Sequence, residues 1–125
     1  MAGDANRVVL VVEDDPIIAF DLETILKELA CDTVVIFSDN RGAIDWLDDK
    51  TPHCAILDFK LTSENSLDTA HLLARRDIPT AFVTGYGDKV PLPDALTGCE
   101  IFNKPISKTD LEEWLARVNA ALRTS

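Results

Sequence analysis

Four short apolar runs, RVVLVV (7–12), TVVIF (33–37), CAIL (54–57) and TAFV (80–83), constrain this chain more than any other feature. They are rich in β-branched residues and lack polar alternation, the pattern of strands covered on both faces. A weaker fifth run, EIF, occupies 100–102. Strands of this kind need cover, and the intervening segments have the period to supply it. Strand and helix in regular alternation imply right-handed βαβ units and a parallel sheet with helices on both sides.

After Pro16, which suits a first helical position, Ile18, Leu22, Ile25 and Leu29 form one apolar stripe with Leu26 beside it. Glu23 and Lys27 make a favourable pair one turn apart on the polar side. A second helix is predicted over 40–49, with Ala43, Ile44 and Leu47 inward. A third is predicted over 66–76 on Leu67, Ala70, Leu73 and Ala74, with Ile78-Pro79 at its exit. The last begins at Ser107, where Ser-Lys-Thr-Asp resembles a capping box, and turns Leu111, Trp114, Leu115, Val118 and Leu122 inward. Trp46 and Trp114 read as packing residues. No internal repeat, low-complexity tract or linker interrupts the chain.

At 125 residues the chain suits one compact domain, with 1–6 as a short N-terminal tail. No apolar stretch approaches the roughly 20 residues needed to span a bilayer, and MAGDANR has no signal-like character. Cys31, Cys54 and Cys99 are odd in number and widely spaced, which reads as reduced thiols in a cytoplasmic protein. A net charge of −10, from 22 acidic against 12 basic residues, disfavours nucleic acid as a partner.

In an open parallel sheet, ligands gather beyond the carboxyl ends of the strands. Glu13, Asp14 and Asp15 follow the first run, Asp58 the third, Thr84 the fourth, and Lys104-Pro105 the fifth. Carboxylates gathered at one edge repel unless a cation neutralises them. With only oxygen donors available, that cation is a hard one, Mg2+ by default or Mn2+. Such an ion beside an ammonium and a hydroxyl suits phosphoryl transfer. One carboxylate is then free to act as the nucleophile. Singly, each residue has a plainer reading as a helix start, a loop carboxylate or a surface lysine. Together, at the ends of successive strands, they favour a site. His53, before the third strand, and His71, within a helix, lie away from that edge.

VVEDDP, ILDFKL, VTGY and NKPIS occur in the order of the hallmark motifs of the response regulator receiver domain, and the chain resembles that family along its length. The resemblance implies a single receiver domain of flavodoxin-like fold, doubly wound, with five parallel strands in the order 2-1-3-4-5. It implies that Asp58 accepts phosphate from a histidine kinase or a histidine phosphotransfer protein, with no catalysis beyond its own phosphorylation and dephosphorylation. Asp14 would bind Mg2+ directly, Glu13 through water, and the Lys60 backbone carbonyl would add a ligand. Thr84 and Lys104 would hold phosphoryl oxygens, and Lys104-Pro105 would be a cis peptide. Asp15 falls one place beyond the acidic pair and reads as a helix-start residue. Gly85 would leave room for the phosphate. Lys60 and Tyr86, two residues after Asp58 and Thr84, would tune its lifetime.

One position departs from the pattern. The fifth-strand aromatic that usually couples to the threonine is replaced by Ile101, and the adjacent Phe102 should face the other side of the sheet. FVTGY and the missing aromatic are similar to the "FATGUY" subgroup of single-domain alphaproteobacterial receivers. That subgroup implies a kinase of the HWE or related type, and a stand-alone regulator acting as binding switch, phosphate shuttle or sink on a further protein. Two alternatives compete. Asp58-Phe59-Lys60-Leu61-Thr62 resembles the DxDxT motif of haloacid dehalogenase-type phosphatases, although Lys60 stands where an aspartate is needed. A receiver-like interaction module that is never phosphorylated is the other.

The stretch FVTGYGDKVPLPDALTG (82–98) should contain the helix between the fourth and fifth strands. Gly87, Pro91 and Pro93 argue against a regular one. A short, irregular or disordered segment is predicted, with at most one turn around Asp94–Leu96.

Overall fold

The computed structural model describes residues 7–85 and 90–124. Five strands, β1 (Val8–Val12), β2 (Thr33–Phe37), β3 (Cys54–Asp58), β4 (Thr80–Thr84) and β5 (Glu100–Asn103), form one parallel sheet in the order 2-1-3-4-5. The helices are α1 (Pro16–Glu28), α2 (Asn40–Leu47), α3 (Leu67–Arg75) and α4 (Lys108–Thr124). The alternation of runs and helices predicts the parallel sheet, and its strand order is the flavodoxin-like one that the receiver resemblance implies.

Three central strands match the reading of cover on both faces, since β1, β3 and β4 are almost wholly buried. β2 does not, because it is an edge strand and only half covered. The sheet separates two apolar clusters. On one side Leu22 and Leu26 of α1 meet Leu111, Trp114 and Val118 of α4 over Val9, Val11, Ile56 and Val83. On the other, Ala43 and Leu47 of α2 and Ala70 and Leu73 of α3 close over Leu10, Val12, Leu57 and Phe82. Ile44 is only half-buried, and the side chain of Leu122 lies outside the described residues.

Helices α1, α2 and α4 start where the sequence supplies a side-chain acceptor. Asp15 Oδ1 accepts the Ile17 and Ile18 N–H groups at 2.9 and 3.4 Å, with Pro16 at the first helical position. Asp39 Oδ1 accepts Gly42 N–H at 2.9 Å, and Ser107 Oγ accepts Asp110 N–H at 2.9 Å. Two helices end in the same way. Ala30 (φ 68°) and Asp77 (φ 56°) take the left-handed conformation, and Cys31 N–H and Ile78 N–H reach back to the Leu26 and Leu73 carbonyls at 3.0 Å.

Between β4 and β5 the described residues hold only a 3-10 turn at Asp94–Leu96, as the prolines predict. Tyr86 and Gly87 lie outside the described residues. Val90, Leu92 and Leu96 pack against the α2–α3 side.

His53 has a role that its position alone did not reveal. Its Nδ1 accepts the Val8 N–H at 3.1 Å, satisfying the start of β1 at the end of the sheet away from the acidic residues. The three cysteines are unpaired thiols. Burial raises the pKa of all three, which keeps them protonated.

Candidate functional site

Parallel register brings the carboxyl ends of β1, β3, β4 and β5 to one edge, and the polar residues predicted there converge on it. Asp58 and Thr84 are the last residues of their strands rather than the first beyond them. Both are buried, as is Glu13 directly after β1. The Thr84 hydroxyl makes no hydrogen bond to any described residue, while its carbonyl accepts the Lys104 N–H at 2.8 Å. That backbone bond, with the cis peptide between Lys104 and Pro105, accompanies the turn of the lysine toward the edge.

Lys104 Nζ lies 3.0 Å from Asp58 Oδ2 and 3.3 Å from Glu13 Oε1. One ammonium therefore serves two buried carboxylates. Asp58 Oδ1 accepts the Lys60 N–H at 3.3 Å, and Glu13 Oε2 accepts the Asp15 N–H at 3.1 Å. Asp14 is held differently, its Oδ2 accepting both the backbone N–H and the hydroxyl of Thr62.

Burial is the main reason that the Glu13 carboxyl is pushed up to about 7. The Asp15 N–H opposes the rise, the neighbouring Asp58 adds to it, and Lys104 offsets part of it. Burial alone would lower the Lys104 pKa, but its hydrogen bond to and charge pairing with Asp58, and then its charge pairing with Glu13, raise it.

One oxygen from each of Glu13, Asp14 and Asp58 lies within 4.8 Å of the other two. Glu13 Oε1 is buried and accepts no hydrogen bond, Lys104 standing beside it as an ion-pair partner without hydrogen-bond alignment. A single ammonium leaves the trio with excess negative charge and an unsatisfied oxygen. Those residues fit a small hard cation with oxygen ligands.

The Asp15 side chain caps α1, as its place beyond the acidic pair predicts, and only its N–H touches Glu13. His71 is half-buried on α3, away from the edge. Ile101 is 42% exposed, whereas Phe102 is buried edge-to-face against Trp114 with ring centroids 6.3 Å apart. The two residues point to opposite faces, so Phe102 does not stand in for an aromatic at position 101. Trp114 is itself core, at 5% exposure, rather than surface. Thr62 was not predicted as a neighbour of Asp14. Nothing in a loop residue 48 positions away signals that contact.

Comparison with known proteins agrees with this layout. The response regulator receiver domain family matches residues 9–116. The DNA-binding response regulator MtrA of Mycolicibacterium smegmatis is 32% identical over 121 residues, 92% of this chain and 50% of its own. The phyllosphere-induced regulator PhyR of Methylorubrum extorquens is 28% identical over 92 residues, 71% of this chain and 34% of its own. The chain thus spans half or less of the curated relatives it matches. Among solved structures, SdrG from Sphingomonas melonis Fr1 superposes with a TM-score of 0.75 at 31% identity, covering 91% of this chain and 96% of that one.

Proposed function

Because the chain belongs to the response regulator receiver domain family, we propose that Asp58 accepts a phosphoryl group from the phosphohistidine of a histidine kinase or a histidine phosphotransfer protein. The observation that carries this is the setting of Asp58: buried at the end of β3, with one oxygen on Lys104 and two further carboxylates alongside.

An Asp58 carboxylate oxygen attacks phosphorus in line. The P–N bond breaks as the P–O bond forms, and the donor imidazole, protonated on its other ring nitrogen, leaves as a neutral ring. Lys104 follows the charge onto a phosphoryl oxygen, and the Thr84 hydroxyl donates to another. Glu13, Asp14, Asp58 and the Lys60 carbonyl would be the residues that hold Mg2+ or Mn2+. Such an ion would supply positive charge that neutralises the carboxylates and the phosphoryl oxygens.

FVTGY and Ile101 support a donor kinase of the HWE or related type. Output passes through protein contacts, as a partner switch, or through onward transfer of the phosphoryl group to another histidine protein. No helix among the described residues is long and apolar enough to cross a membrane.

Incubation with a small phosphodonor such as phosphoramidate tests the proposal. Wild type should gain one phosphoryl group by intact mass only when Mg2+ is present, and Asp58→Asn should gain none. Equal incorporation by Asp58→Asn, or none by wild type, overturns it.

A further inference from the structure

We propose that Thr62 is a positioning residue for the cation site, aiming the Asp14 carboxylate from outside it. This rests on the reading of Glu13, Asp14 and Asp58 as the carboxylates around that cation.

The three carboxylates are oriented by different means. Asp58 is fixed by Lys104 Nζ and the Lys60 N–H, and Glu13 by the Asp15 N–H. Asp14 has neither an ion-pair partner nor a donor from its own segment among the described residues. Its hydrogen bonds come from Thr62, whose N–H and hydroxyl both donate to Oδ2. Two donors on one oxygen restrict the orientation of the carboxylate and leave Oδ1 without a hydrogen bond from the described residues. Hydrogen-bonding partners of this kind set the orientation and basicity of ligating side chains.

Thr62 can do this only if it is itself held, and the loop from 59 to 66 shows how. Phe59 N–H donates to the Val83 carbonyl at 2.9 Å, Ser66 N–H to the Phe59 carbonyl at 3.0 Å and Leu61 N–H to the Glu64 carbonyl at 2.8 Å. The far side of the loop is clipped to the start of α2. Asn40 N–H donates to Glu64 Oε2 at 3.1 Å, and Asn40 Nδ2 to the Asn65 carbonyl at 2.8 Å. Asn40 Oδ1 in turn accepts the Thr69 hydroxyl at 2.6 Å. Asn40 and Thr69 are both buried. The loop is therefore a bracket between α2 and the acidic edge, and Thr62 is its contact with Asp14.

The other outcome of the same contacts would be competition, with Thr62 occupying Asp14 against the cation. The two cases differ in sign. Thr62 is exposed, so replacing its hydroxyl disturbs little packing. Calorimetric titration with MgCl2 at pH 8 should show Thr62→Val binding about tenfold more weakly than wild type, the lower end for such partners because the N–H remains. Thr62→Ser, which restores the hydroxyl, should bind as wild type does. Melting in EDTA should be unchanged in both variants, separating orientation of Asp14 from general stability. Unchanged or tighter binding by Thr62→Val overturns the proposal, as does failure of Thr62→Ser to recover affinity. Absence of Mg2+ binding by wild type would remove the cation site itself, and the role of Thr62 with it.

Discussion

Asp58 and Lys104, 46 residues apart in the chain, meet at 3.0 Å where β3 and the segment after β5 reach the same edge. The same ammonium also offsets Glu13, so its removal leaves two buried carboxylates facing each other. Lys104→Met should lower stability in EDTA by about 1–3 kcal/mol, the cost of leaving buried polar groups unpaired. Saturating Mg2+ should narrow that gap. Urea unfolding of both proteins, with EDTA and with Mg2+, reads both effects. Equal midpoints in EDTA would mean that the pair contributes nothing.

Glu13 makes the metal-free protein sensitive to pH in a definite direction. Its carboxyl titrates near 7 when folded, against 4.5 when unfolded. Between those values the folded chain keeps a proton that the unfolded chain has lost, so this group stabilises the fold at low pH. That contribution drains away as pH rises from about 4.5 to 7. Denaturant midpoints across this window should fall less steeply in Glu13→Gln than in wild type. Superimposable slopes would contradict the assignment.

Ala30 and Asp77 occupy left-handed positions that glycine adopts without steric penalty. Ala30→Gly and Asp77→Gly should each stabilise by up to about 1 kcal/mol, because the strain relieved exceeds the entropy added to the unfolded chain. Thermal melts at fixed pH test this. A drop in midpoint for both would show that the strain is smaller than that entropy.

The turn at Asp94–Leu96 is closed by few hydrogen bonds, with Leu96 N–H on Pro93, Thr97 N–H on Asp94 and Cys99 N–H on Leu96. Amides over 90–97 should therefore exchange much faster than those of α1, which carries a full helical ladder and a buried face. Beryllofluoride, a phosphoryl mimic, should slow exchange there if activation orders this segment. Protection over 90–97 already equal to that of α1 in the apo protein would contradict a loosely held turn.

The alternation of unpatterned apolar runs with amphipathic helices predicted the sheet and its covering. The strand-end polar residues predicted which side chains would meet. Both are local signals whose meaning parallel topology makes global. What stayed hidden depends on pairings across the chain. β2 reads like β1 as a string of letters, and only its place at the edge leaves it half-exposed. His53 on Val8, Thr62 on Asp14 and Asn40 on Asn65 each join a loop to a distant segment whose approach no periodicity encodes. The left-handed ends were hidden for another reason. Alanine and aspartate carry no glycine-like marker, and the returning N–H groups impose the conformation.

The sheet keeps its two apolar clusters apart, with α1 and α4 on one side and α2 and α3 on the other. Leu111→Ala and Leu73→Ala, one in each cluster, should each cost about 2–5 kcal/mol. Together they should cost the sum within about 0.5 kcal/mol, which chemical denaturation of the single and double variants can check. The site residues sit on the seam and belong to neither half. Lineages descended from this chain could thus rewrite the packing under one pair of helices, and the partners those helices meet, while the other half and the acidic edge stay as they are.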